Sequence, residues 1–148
     1  MYKNILVATD GSDFSKKAVR AAFDVAAALG AQVCIVHVLP KFVQAYFESD
    51  NNASPASEIE SMERSMEQKA QKSLDVLIKA SNTKQVDVKT TIIKSYVVSD
   101  AILKVARKSN IDLIVMASHG RHGLKRLLLG SETLQVLTHS DIPVLVVR

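Results

Sequence analysis

The sequence predicts an α/β domain, a doubly wound parallel sheet of five strands with helices on both faces. Three observations carry that expectation. Short β-branched apolar runs alternate with stretches of helical periodicity along the whole chain. Two of the runs, AQVCIVHVL and DLIVMA, are almost continuously apolar, as strands covered on both faces are. No composition shift or internal repeat divides residues 1–148, so a single domain is expected over them.

The elements follow in order. KNILVA, Lys3 to Ala8, is a strand that ends at the turn signal Asp10-Gly11-Ser12. In FSKKAVRAAFDVAAALG the apolar residues Ala18, Ala22, Val25, Ala26 and Leu29 recur at helical spacing. Ser12 or Asp13 caps its start, and Gly30 ends it in a left-handed conformation. Ala31 to Leu39 is the second strand. The order then weakens from Pro40 to Pro55, where KFVQAYFE is apolar and aromatic and SDNNASPAS is a loop by composition. Ser57 and Glu60 have the spacing of a capping box, and the helix after them places Ile59, Met62, Met66, Ala70, Leu74 and Leu77 on one face. Val86 to Lys94 is a strand, and Ser99 to Lys108 is a helix with Ile102, Val105 and Ala106 inward. Asp112 to Ala117 is a fourth strand, Ser131 to His139 a short helix, and Pro143 to Val147 the last strand. The crossovers are expected to be right-handed.

Composition excludes several classes. No apolar run approaches the roughly 18 residues of a membrane-spanning helix, and the N-terminus lacks the features of a secretory signal. The lone cysteine, Cys34, lies within an apolar run, where a buried inert thiol is expected. These features fit the cytoplasm and no membrane partner. The net charge of +4 can help attract phosphate but is too small to argue for nucleic acid, and no basic-aromatic stacking surface stands out.

Function should lie where strands end. Ligands of doubly wound sheets sit outside the carboxyl ends of the strands, at the switch in strand order. The polar, glycine-bearing loops follow the first and fourth strands, and a strand order of 3-2-1-4-5 makes them neighbours. In SHGRHGLKRLLLGSET, Gly130 and Ser131 stand just before a helix, with Ser131 as its expected N-cap. Such a helix start presents free N–H groups and the positive end of a dipole, which suits an anion. Gly120 and Gly123 permit positive φ and close backbone approach. Arg121, Lys125 and Arg126 add charge, and Ser118 and His119 add donors. These residues suit a di- or triphosphate; the competing reading is a shaped turn with solvated basic residues. Asp10 could accept ribose hydroxyls or hold a divalent cation beside phosphates, or simply cap a helix. Backbone groups of Ala8, Thr9 and Val38 could meet an adenine edge.

Sharper motifs are absent. There is no G-x-G-x-x-G after the first strand and no G-x-x-x-x-G-K-[ST] anywhere. Asp10 lacks the acidic neighbours of a receiver domain. His119 and His122 have no Cys or carboxylate beside them to complete a metal site. His37 reads as a strand residue and His139 as a helix-end residue. No Ser-His-Asp or Cys-His set is visible in the spacing.

The blocks KNILVATDGS, IVHVL, DLIVMASHGRHGLKRLLLGS and PVLVV together resemble the universal stress protein family over essentially the whole chain. The resemblance implies a Rossmann-like fold with strand order 3-2-1-4-5. It also implies a cytoplasmic homodimer paired through the last strand, here Pro143 to Val147. The ATP-binding branch of the family carries the pattern G-x2-G-x9-G-[ST]. Its second glycine falls at Gly120 and its final pair at Gly130 and Ser131, while Ala117 stands at the first glycine. Glu132 stands where the family often has a small or apolar residue, and its carboxylate would repel a triphosphate unless it points outward. Carried over by position, the implied nucleotide-binding residues are Ala8, Thr9, Asp10, Val38, Met116, Ala117, His119, Gly120, Arg121, Gly130, Ser131, Glu132 and Thr133. Asp10 would also meet a nucleotide-bound Mg2+.

Three functions are therefore open. The first is a regulatory, stress-response protein that binds ATP, ADP or AMP, with Mg2+ as a potential companion and little or no hydrolysis. The second is a nucleotide-independent dimeric interaction protein of the same fold. The third is a weak ATPase or nucleotidyl transferase using Asp10 with a metal. No catalytic residue is assigned.

Overall fold

The structure is a computed structural model that describes residues 1–41, 56–120 and 129–148. Among them are five strands, β1 (Asn4–Ala8), β2 (Gln32–Pro40), β3 (Val88–Ser95), β4 (Leu113–Ala117) and β5 (Val144–Val147). Four helices intervene, α1 (Asp13–Leu29), α2 (Ala56–Ser81), α3 (Val98–Lys108) and α4 (Ser131–His139). The sheet is parallel, in the order β3-β2-β1-β4-β5. The expected fold class and strand order are the ones observed. Arg121, His122, Gly123, Lys125, Arg126 and nearly all of KFVQAYF lie outside the described residues.

Period-two alternation divides the sheet's side chains between two cores. Ile5, Val7, Val33, Ile35 and Val115 face α1 and α2, where they meet Ala18, Val19, Ala22, Phe23, Ala26 and Leu74. Leu6, Val36, Ile114 and Met116 face α3 and α4, where they meet Ile102, Leu103, Ala106 and Val136. Strand β1 is buried on both faces because it is the middle strand. The α1 face includes Val19 and Phe23, while Val25 and Leu29 pack only at its margin. Burial along α2 is complete only in its second half, at Ala70 and Leu74; Met62 is exposed.

Two caps differ from expectation. Helix α2 already includes Ala56 and Ser57, so Ser57 lies inside the helix. Gly130 is the N-cap of α4 and Ser131 its first residue. At α1 the expectation holds: the Ser12 hydroxyl accepts from the Ser15 N–H, and Gly30 closes the helix at φ 63°.

The starts of β1 and β4 are tied together. The Lys3 and Asn4 N–H groups both donate to the Asp112 carboxylate, and the Asp112 N–H donates to the Asn4 carbonyl. These contacts fix β1 beside β4 and so bring the loops after them together. No helix among the described residues is long and apolar enough to cross a membrane.

Candidate functional site

The crevice opens where β1 and β4 end side by side. Its floor is Thr9, which is only 5% exposed. The Thr9 N–H donates to the Val36 carbonyl, and its own carbonyl accepts from His37 Nδ1 at 2.9 Å. Its hydroxyl shares a hydrogen bond with Ser15 Oγ and accepts from the Gly11 N–H. Thr9 is thus held by four groups of the protein itself, so its contribution to a site is to be rigid. Since a carbonyl only accepts, His37 carries a proton on Nδ1. His37 was expected only as a strand residue. No local pattern reveals its role, because its partner is 28 residues away in sequence.

Val38 is placed differently. Backbone groups two apart along a strand turn to the same side. The Val36 carbonyl turns towards β1, where it meets Thr9. Val38 therefore turns the same way at a level where β1 has already ended, since Ala8 is the residue paired with Val36. This is an edge of backbone donor and acceptor facing the crevice. The side chains of Ala8, Val38 and Met116 pack into the α3–α4 core, which leaves backbone as what they can offer.

Asp10 begins the loop to α1, and its Oδ1 accepts from the Ser12 N–H at 2.9 Å. Its Oδ2 lies against the loop after β4: a Cβ added to Gly120 would stand only 2.8 Å from it. A side chain at Gly120 would displace the Asp10 carboxylate. Gly120 is needed for this close approach; positive φ among the described glycines occurs at Gly11 and Gly30. Gly130 plays a similar part. Its N–H donates to the Ser118 carbonyl at 2.7 Å, and a Cβ there would come within 3.2 Å of that oxygen and 3.4 Å of His119 Cα. The two glycines stack the start of α4 on the end of β4 and press both towards Asp10.

Neighbouring groups hold this arrangement. The Ser118 N–H donates to the Val147 carbonyl, tying the loop to β5. Ser118 Oγ shares a hydrogen bond with His119 Nδ1, which orients that ring, and Phe14 of α1 lies beside it at 6.0 Å between ring centroids. The Lys17 ammonium sits over the Phe14 ring. The Thr133 hydroxyl, buried at the first turn of α4, donates to the Ala117 carbonyl. Thr133 is therefore a brace of the site. Ser131 is exposed at the helix start.

The two departures from the family pattern are placed by the same geometry. The Ala117 methyl is buried in the α1–α2 core, away from the carbonyl that Thr133 engages. The Glu132 carboxylate turns to another helix, where its Oε2 accepts from the Ser99 N–H at 3.0 Å. It does not converge with Asp10 and Gly120. Arg121 lies outside the described residues.

Among the described residues no group of three or more His, Cys, Asp or Glu could hold a metal ion. Asp10 offers one carboxylate, which suits a magnesium ion that brings its own phosphate and water ligands. A groove of about 520 Å3 lies elsewhere, between α3 and α4, and is lined by Val97, Leu103, Arg107 and Glu132 among others. Its lining does not include Asp10, Gly120 or Gly130.

The sequence profile of the universal stress protein family matches residues 1–148. The chain belongs to the universal stress protein family. Universal stress protein MJ0531 of Methanocaldococcus jannaschii is 30% identical, aligned over 100% of this chain and 83% of its own. Universal stress protein A homolog 1 of Coxiella burnetii is 35% identical over 99% of this chain and 96% of its own. The solved structure of MJ0577, also from Methanocaldococcus jannaschii, superposes with a TM-score of 0.81 at 28% identity, covering 99% of this chain and 96% of that one. A universal stress protein solved in complex with cAMP superposes with a TM-score of 0.61 at 26% identity, covering 99% of this chain and 97% of that one.

Proposed function

We propose that this universal stress protein binds an adenine nucleotide, ATP or a lower phosphate, in a regulatory stress-response role with little or no hydrolysis. The observation that carries the reading is the closure of Gly120 on Asp10 beside the start of α4. That closure sets the two loops close together where a carboxylate and a helix N-terminus are both at hand, and we read the space between them as the slot. The Val38 backbone edge receives the adenine, with Ala8 and Thr9 as the rigid wall. Asp10 takes the ribose hydroxyls or a magnesium ion carried by the nucleotide. The first-turn amides of α4, with Gly120, Gly130 and the Ser131 hydroxyl, receive phosphate; free N–H groups at a helix start suit an anion. Met116 and Ala117 support this wall from β4, and His119 lines its mouth. The relative solved with cAMP supports an adenine ligand.

The test is mass spectrometry of the gently purified, then denatured protein, followed by calorimetric titration with ATP, ADP, AMP and cAMP, with and without Mg2+. Co-purified or titrated adenine nucleotide is expected. Failure of all four to bind at millimolar concentration would sink the reading. It would favour a nucleotide-independent interaction protein.

We also propose a homodimer through Pro143 to Val147. Strand β5 ends the sheet, and Leu145 together with Leu134 and Leu137 of α4 is exposed. An uncovered edge strand with apolar neighbours favours pairing with a second copy.

A further inference from the structure

Resting on the nucleotide-binding reading, we infer that Glu132 is a positioning residue: it caps α3 from α4 and thereby fixes the helix start that receives phosphate. A carboxylate in the first turn of a phosphate-binding helix would ordinarily weaken the site by repulsion. Here its Oε2 accepts from the Ser99 N–H at 3.0 Å, in the first turn of α3. That turn needs a partner, because its N-cap residue, Val97, provides no side-chain hydrogen bond. Ser99 is only 5% exposed, so an unpaired amide there would be costly. The anion is thus matched to the positive end of a neighbouring helix, a favourable charge-assisted contact.

The same residue sits between Ser131 and Thr133. Thr133 pins α4 to the Ala117 carbonyl, and Gly130 pins it to Ser118. Glu132 supplies a third point, on α3, at the edge of the α3–α4 groove. The first two anchors meet adjacent residues at the end of β4, and the third, on α3, keeps the first turn from pivoting about them.

The test compares the wild type with Glu132→Ala and Glu132→Gln in the full chain. Glutamine keeps an acceptor for Ser99 without the charge. Without nucleotide, the Ser99 amide should exchange about tenfold faster in Glu132→Ala than in the wild type, with Glu132→Gln close to wild type. Unchanged exchange in Glu132→Ala overturns the inference. With ATP, Glu132→Ala should bind about fivefold more weakly, the scale of a lost helix cap, and Glu132→Gln should recover most of that loss. Equal or tighter ATP binding by Glu132→Ala also overturns it, since that is the behaviour of a merely repulsive charge. A wild type that binds no adenine nucleotide overturns the binding reading and the phosphate half of this inference. The exchange of Ser99 then still decides whether Glu132 is the cap of α3.

Discussion

Gly120 carries the sharpest consequence of any single residue. Replacing it with alanine puts a methyl 2.8 Å from the Asp10 carboxylate, so that carboxylate must shift from its place. Overpacking of this kind costs roughly 1–3 kcal/mol. Gly120→Ala is expected to fold but to lose most of its adenine-nucleotide affinity, as measured by calorimetry alongside a denaturation curve. Undiminished affinity would show that Asp10 and Gly120 do not form the slot. Cys34 makes a second case. Burial pushes its thiol above the ordinary value of 9.0, so little thiolate forms at neutral pH. Labelling by a disulfide reagent at pH 7.5 should be slow in the native protein and fast in denaturant. Residues differ in how plainly the sequence announces them. Gly130 and Ser131 are legible because a glycine-serine pair before a helical pattern has a local meaning. His37 and Glu132 are not, because each acts on a backbone group 28 or 33 residues away in the chain.

The elements were legible because periodicity is local. Strand β4 and helix α4 fall where the apolar runs place them, and the misplaced caps are shifts of a residue or so. The face of α1 is harder to read, since the alanine periodicity passes over Phe23, which is 2% exposed. An alanine-rich helix offers more than one apolar stripe, and only the sheet opposite selects between them. Phe23→Ala should cost about 3–5 kcal/mol of unfolding free energy, measured by urea denaturation, because a buried aromatic leaves a cavity. Helix α2 is joined to β3 by Lys94, whose ammonium lies 2.9 Å from both Glu63 and Glu67. The hydrogen bonds that its ammonium donates to these carboxylates hold the Lys94 pKa above its usual 10.5. A raised lysine pKa means that the folded state favours the charged form. Its contribution is therefore complete below the ordinary value and fades as pH rises through the folded one. Lys94→Met should lower stability at neutral pH and remove part of the decline above pH 10.5, as seen in thermal midpoints across that range.

At the scale of the whole molecule, the proposed binding slot and the proposed dimer edge lie on adjacent strands. Ser118, at the lip of the slot, donates to Val147 of β5. Leu145→Asp should give a monomer in sedimentation while its thermal midpoint changes little, because Leu145 is 39% exposed. Retention of the wild-type mass would place the contact elsewhere. The strand order itself bears on how the chain reaches its fold. The central strand, β1, is the first to leave the ribosome, and one of its two neighbours, β4, begins more than a hundred residues later. A nascent chain carrying only β1, β2 and β3 has three of the five strands, and β1 is left as an open apolar edge. Pairing across so long a separation is slow, and such an edge attracts other chains while it waits. Synthesis of this protein is therefore expected to expose a vulnerable interval that closes only when residues 113–117 arrive, and a truncation just before them should accumulate as aggregate.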